Sequence, residues 1–236
     1  MTVLNPSSST EPRWTPDPVA DAYDREAWDY DGFYRSPRCR AEDRELIARL
    51  FAFLRQSDTT RVLDVGCGTG ALLNLIPFPM DRYVGVDVSA NMLNVARSRF
   101  PLHRFERFSV LDLPWLDGTF TVAVALFSAL SHIAAPVRAL AEILRVLQPK
   151  SRCFLMVYAP RWHYRNPQRA GRLYVETSPA AWSVWQARER MNCAGFKHVA
   201  ISGFSILPAP LLRVERPLAR LAPHAGRYLV IEAIAP

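Results

Sequence analysis

The sequence predicts an α/β fold built on a doubly wound, mostly parallel sheet. Three observations carry that expectation. Short apolar runs alternate with helical patterns along the chain, the first run opens into a glycine-rich turn, and the second ends on an acidic residue.

The elements follow in order. Residues 1–18, polar and rich in Ser and Thr, read as a flexible leader. Asp21 to Arg40 is dense in aromatic and charged residues, and Leu46, Ile47, Leu50, Phe51 and Leu54 then fall at helical spacing, predicting an amphipathic helix over 41–55. Strands are expected at 62–65, 83–86, 103–108, 120–126, 153–158, 197–204 and 227–234, seven in all. A short helix ending at Pro77 separates the first two, and Ser89 is a natural N-cap for a helix from Ala90 to Phe100. Pro136 opens a helix to Leu147, and 179–192 reads as another. Strands this apolar need cover on both faces. Two stretches break the rhythm as insertions, 159–178 and 206–226.

At 236 residues, 50% hydrophobic and 22% charged, the chain can build one substantial core. No apolar run approaches the roughly 20 residues that span a bilayer, so no membrane partner is expected. Cys39, Cys67, Cys153 and Cys193 form none of the spacings of zinc or dithiol sites, which predicts no metal and a reducing, cytoplasmic setting. The net charge of +7 raises nucleic acid as a partner, but only Lys150 and Lys197 are lysines among 29 basic residues. That arginine bias, with abundant Ala and Pro, is the mark of a GC-rich genome, and no basic run or basic helix stands out. Nucleic acid is accordingly disfavoured as a partner, and a monomer or homodimer acting on a small molecule is expected.

The sharpest signal is Val62-Leu63-Asp64-Val65-Gly66-Cys67-Gly68-Thr69-Gly70. Gly66 and Gly68 remove side chains where a ligand could touch backbone, and the turn feeds a helix N-terminus whose free N–H groups favour a carboxylate. Asp64, just before the turn, is placed to hold an ammonium group. Asp87 ends the second strand 23 residues later and suits the two hydroxyls of a ribose. A nucleoside joined to an amino acid is implied. A dinucleotide site would instead show the Gly-x-Gly-x-x-Gly spacing.

With these residues in place, the chain resembles the class I S-adenosylmethionine methyltransferases, in particular the small-molecule group that includes the ubiquinone and menaquinone biosynthesis methyltransferases. The likeness runs from about Ala22 to Pro160 and is strongest in VLDVGCGTG, YVGVDVSANML, LDLPWLDGTFTVAVA and ALAEILRVLQPK. It implies a Rossmann-like, seven-stranded sheet with an antiparallel last strand, S-adenosylmethionine as cofactor, and Cys67 in the cofactor turn. It further implies that Val88 and Met92 border the adenine, that Ser109 stands where an aspartate commonly meets the adenine amino group, and that the Val110 N–H meets the ring. Thr121 and Lys150-Ser151 depart from the family's common Asp and Gly-Gly. In resembling enzymes a segment like Tyr23 to Asp31 folds over the cofactor, so 19–56 is expected as a helical lid, with Tyr30 ahead of Tyr23 in touching the ligand.

Methyl transfer from a sulfonium is an in-line displacement, so alignment and exclusion of water dominate. An acceptor that must lose a proton gains from a base, and His132, six residues beyond the end of the fourth strand, is the candidate, with Tyr30 a second catalytic candidate. Phe127 is expected as a wall near the transferred methyl and the acceptor. Trp162, His163, Tyr164 and Arg165, in the first insertion, are candidates for gripping an aromatic or anionic acceptor, His163 doubling as a secondary base. The expected function is O- or N-methylation of a small acceptor. Two alternatives stay open at this point: methylation of a peptide, protein or RNA, and a cofactor-binding partner without catalysis.

Overall fold

The computed structural model describes residues 17–54, 60–161 and 177–236. The chain begins with α1 (Pro18–Glu26), a short 3-10 turn (Tyr30–Tyr34) and α2 (Pro37–Leu54). The sheet is then laid down as β1 (Val62–Val65), β2 (Tyr83–Asp87), β3 (Arg104–Arg107), β4 (Phe120–Ala125), β5 (Leu147–Tyr158), β6 (His198–Phe204) and β7 (Tyr228–Ile234). Between these strands lie α3 (Ala71–Leu75), α4 (Ala90–Arg99), α5 (Pro136–Val146), α6 (Val184–Cys193) and α7 (Arg216–Leu221).

The seven strands stand in the order β3-β2-β1-β4-β5-β7-β6. The first five run parallel, and β7 is antiparallel to both of its neighbours. The α/β class, the strand count and the antiparallel last strand agree with the expectation. Strand order reverses between β1 and β4, which opens a crevice at their carboxyl ends.

Apolar side chains fill both faces. Leu63, Val65, Ala123 and Leu155 belong to one cluster with Trp115 and α5, while Val62, Val124 and Phe154 belong to the other with Leu46 and Leu50 of α2. Alternation along β1 therefore sends Leu63 and Val65 one way and Val62 the other.

Three boundaries differ from the sequence reading. Asp17 and Pro18 are part of a helical start rather than of the leader, because the Asp17 carboxylate accepts from the Val19 and Ala20 N–H groups and Pro18 fits the first helical position. The helix expected over 179–192 begins at Val184, where Ser183 and Gln186 form a reciprocal capping box that outcompetes Pro179 as a start. Strand β5 begins at Leu147, well before 153, with Lys150 at positive φ and a register shift opposite Phe120 to Val122 absorbing Pro149. The 206–226 insertion holds a 3-10 turn (Ala209–Val214), α7 and a further turn (Pro223–Ala225).

Candidate active site

A cavity of about 850 Å³, open mouth included, lies at the carboxyl edge of the sheet over the strand-order reversal. That is the size of a site for a nucleotide-sized ligand. Its floor is the turn after β1, from Gly66 to Thr69, and the end of β2 at Asp87 and Val88. Met92 and Val110 close one side, Phe127 and His132 another, and Tyr23 and Tyr30 the top. Eleven of the residues singled out from the sequence thus meet around one space: Tyr23, Tyr30, Gly66, Cys67, Gly68, Asp87, Val88, Met92, Val110, Phe127 and His132.

The two glycines of the turn are there for different reasons. Both have positive φ, but a Cβ at Gly66 would sit 2.4 Å from the Ala129 Cβ, whereas a Cβ at Gly68 meets nothing within 4 Å. Gly66 therefore makes room for the protein's own chain rather than for a ligand, correcting the sequence reading, and Gly68 faces open space. Gly66→Ala is expected to lower stability by roughly 2 to 4 kcal/mol, the sum of overpacking and left-handed strain. Gly68→Ala should cost about 1 kcal/mol while weakening ligand binding. Thermal melts paired with ligand titrations separate the two.

Asp87 is held at the cavity with both carboxylate oxygens in use: Oδ2 accepts from the Gly68 N–H and Oδ1 from the Ser89 N–H, each at 2.9 Å. Burial raises its pKa against these donors. A carboxylate has about four lone-pair sites, so capacity to accept remains beyond the backbone donors.

Asp64 does not line the cavity. Its side chain shares the Val62 face of β1, is buried, and accepts a 2.7 Å hydrogen bond from the Tyr83 hydroxyl. Val65, the next residue, is the one that lines the cavity. Burial pushes the Asp64 carboxyl up to about 7. A raised folded pKa means that the stability from this group is complete below the unfolded value near 4 and is lost as pH rises through 7. Asp64→Asn is therefore expected to gain stability relative to the parent between pH 5 and 8; a difference that does not change with pH in denaturant titrations would contradict this. Ser109 also does not line the cavity, and its hydroxyl accepts from the Leu111 N–H at 3.2 Å within its own turn. Phe108 lines the cavity in its stead.

The top of the cavity is pinned by two aspartates. Asp24 of α1 accepts from the Ser89 hydroxyl and, at 2.9 Å, from the Asn91 N–H, so it caps the start of α4. Asp31 accepts from the Thr69 hydroxyl at 2.8 Å and pairs with Arg99. Val19, Tyr23 and Tyr30 are thereby held over the glycine turn. The sequence reading put Tyr30 first, but the Tyr30 hydroxyl bonds Tyr34 at 3.4 Å while the Tyr23 hydroxyl meets His132 Nε2 at 3.2 Å.

His132 closes a 3-10 turn (Ala129–His132) that follows two residues at positive φ, Phe127 and Ser128. Consecutive non-glycine residues in that region store strain, and such strain clusters at functional sites. Ser131 ties the turn to β5 by accepting from the Tyr158 N–H. Burial lowers the His132 pKa to about 4, and its Nδ1 has no hydrogen-bond partner among the described residues. The imidazole is therefore neutral at pH 7. Trp162, His163, Tyr164 and Arg165 lie outside the described residues. Val19 and Thr69 were missed by sequence reasoning; Thr69 stood in the glycine turn, while nothing in the local pattern marked Val19.

Residues 63–155, which carry the turn, Asp87 and His132, match a family model described as a methyltransferase domain. That family is what residues 63–155 are similar to. Among curated relatives of the domain, a demethylmenaquinone methyltransferase of Symbiobacterium thermophilum is 32% identical over 146 residues, covering 57% of this chain and 56% of that protein. An O-methyltransferase of Aspergillus nomiae is 36% identical over 99 residues, covering 39% and 44%. The chain spans about half the length of these relatives. Among solved structures, an S-adenosylmethionine-dependent methyltransferase of Thermotoga maritima superposes with a TM-score of 0.70 at 16% identity, covering 92% of this chain and 99% of that one. The [4+2]-cyclase SpnF also reaches 0.70, at 21% identity, with coverage of 94% and 98%. At such identities these two likenesses establish the fold alone.

Proposed function

We propose that the chain transfers a methyl group from S-adenosylmethionine to a small-molecule acceptor. The observation that carries this reading is a cavity in which the glycine turn and Asp87 face Tyr23 and His132 across one space. The residues suit the cofactor: Gly68 leaves an open cradle, Asp87 keeps acceptor positions for a ribose, and Met92 and Val110 offer apolar walls for a purine. When bound, S-adenosylmethionine supplies an electrophilic methyl on a sulfonium.

The chain's own contribution is alignment, exclusion of water and removal of a proton. Tyr23 and Tyr30, held by Asp24 and Asp31, cover the site. Burial pushes the Tyr23 hydroxyl far above its ordinary pKa, so it stays protonated and stays a hydrogen-bond partner for His132. His132, neutral and lining the same space, is the residue assigned to take the acceptor's proton. Phe127, in contact with the same space, restricts the acceptor's approach. The four cysteines are unpaired, which supports a reducing compartment such as the cytoplasm. O-methylation of a small molecule gains support from the O-methyltransferase relative, whose own name specifies that chemistry.

Incubation with methyl-labelled S-adenosylmethionine and cell extracts tests the reading. Label in a small organic product is expected. Label confined to protein or RNA would assign the second class of acceptor, and cofactor binding without any transfer would assign a binding protein.

A further inference from the structure

The connection between β6 and β7 (residues 205–227) lies at the same edge of the sheet as the cavity. Phe204, which ends β6, pairs with Tyr228, and Tyr228 pairs with Tyr158 at the carboxyl end of β5. Within residues 206–226 the only acidic residue is Glu215. It is fully buried, where it accepts from the Ser205, Ile206 and Leu207 N–H groups and pairs with Arg49. What this segment shows to solvent is therefore apolar or cationic.

Leu211, Val214, Leu218 and Leu221 are 50%, 66%, 40% and 84% exposed. They recur at intervals of three, four and three residues, the spacing of one helical stripe, while Leu212, Glu215 and Ala219 turn inward. Arg213, Arg216 and Arg220 alternate with them and are exposed. Arg216 pairs with Glu45, whereas neither Arg213 nor Arg220 forms an ion pair among the described residues. Apolar side chains this exposed beside exposed arginines mark an interaction surface. A second copy of the chain is a poor occupant, because a two-fold contact would set this arginine-bearing patch against itself. Exposed apolar side chains with interleaved arginines, here on a 3-10 turn and the short α7, are instead what an interfacial segment presents to lipid, and arginines near a bilayer are drawn to anionic headgroups.

We infer that residues 209–221 form a docking surface for an anionic lipid bilayer, at the edge of the sheet where the cavity lies. Contact of this kind needs no spanning helix, and no described helix is long and apolar enough to cross a membrane.

Sedimentation of the full chain with vesicles tests the inference directly and independently of any methyl transfer. The protein is expected to pellet with mixed phosphatidylglycerol and phosphatidylcholine vesicles, and about tenfold less with phosphatidylcholine alone. L218S/L221S and R213A/R220A should each weaken binding by about tenfold or more. Circular dichroism and melting should match the parent, since all four side chains face solvent. Failure to pellet with the anionic vesicles, or binding retained in either double variant, would overturn the inference. So would a dimer that L218S/L221S splits in a protein that ignores vesicles, which would give this face to a second copy.

Discussion

Asp87→Ala is expected to weaken binding of S-adenosylmethionine and of its demethylated product by more than about 100-fold. Two hydrogen bonds to a charged acceptor contribute roughly 1.5 to 3 kcal/mol each, and every 1.4 kcal/mol is about tenfold in affinity. The carboxylate also ties the Gly68 N–H to the end of β2, so its loss loosens the cradle as well as removing the ligand's partner. Asp87→Asn separates these effects, since it keeps an acceptor and the shape but not the charge. Because burial raises the Asp87 pKa, affinity is expected to decline on acidification at a higher pH than an ordinary carboxylate would dictate. Calorimetric titration reads both, and an affinity within threefold of the parent in the alanine variant would remove Asp87 from the site.

His132→Ala is expected to lower turnover by about 100-fold or more while leaving cofactor affinity within a few fold, as removal of a general base does. Tyr23→Phe should lose less, because it removes the hydrogen bond to Nε2 but leaves the ring that packs edge-on against His132. The sign of the pH effect follows from burial. A histidine whose pKa is lowered to about 4 is neutral throughout the range from 5 to 8, so His132 contributes no limb to the rate profile there. A limb near pH 6.5 that disappears in His132→Ala would show the imidazole to be far better solvated than the structure has it. Unchanged turnover would return His132 to a packing role beside Tyr23 and Tyr158.

The parts of this site that were legible in the sequence are those where backbone geometry restricts the residue. The turn from Gly66 to Gly68 needs positive φ twice, and Asp87 sits where a parallel strand ends, so both leave a fixed mark on the chain. The misreadings came from side-chain direction. Alternation along β1 puts Asp64 opposite Val65, and a period of two was available to show that a carboxylate adjacent to a cavity-lining residue points away from it. Gly66 was credited to a ligand because the residue it accommodates, Ala129, arrives from 63 positions further on and leaves no local signal. The order of Tyr23 and Tyr30 was decided by the partners each hydroxyl finds, His132 and Tyr34, which only the packing of α1 against α4 brings into reach. Helix and strand boundaries slipped where two start signals competed, as at Pro179 and Ser183, and the reciprocal cap won.

Crystals grown with the demethylated cofactor give the most direct test of the central claim, that one cavity receives both the nucleoside and the amino acid end of S-adenosylmethionine. The ribose hydroxyls are predicted to lie against the Asp87 carboxylate, with the amino acid end over the turn from Gly66 to Gly68 and beneath Tyr23. Ligand bound elsewhere, or a cavity that stays closed to it at saturating concentration, would contradict the account.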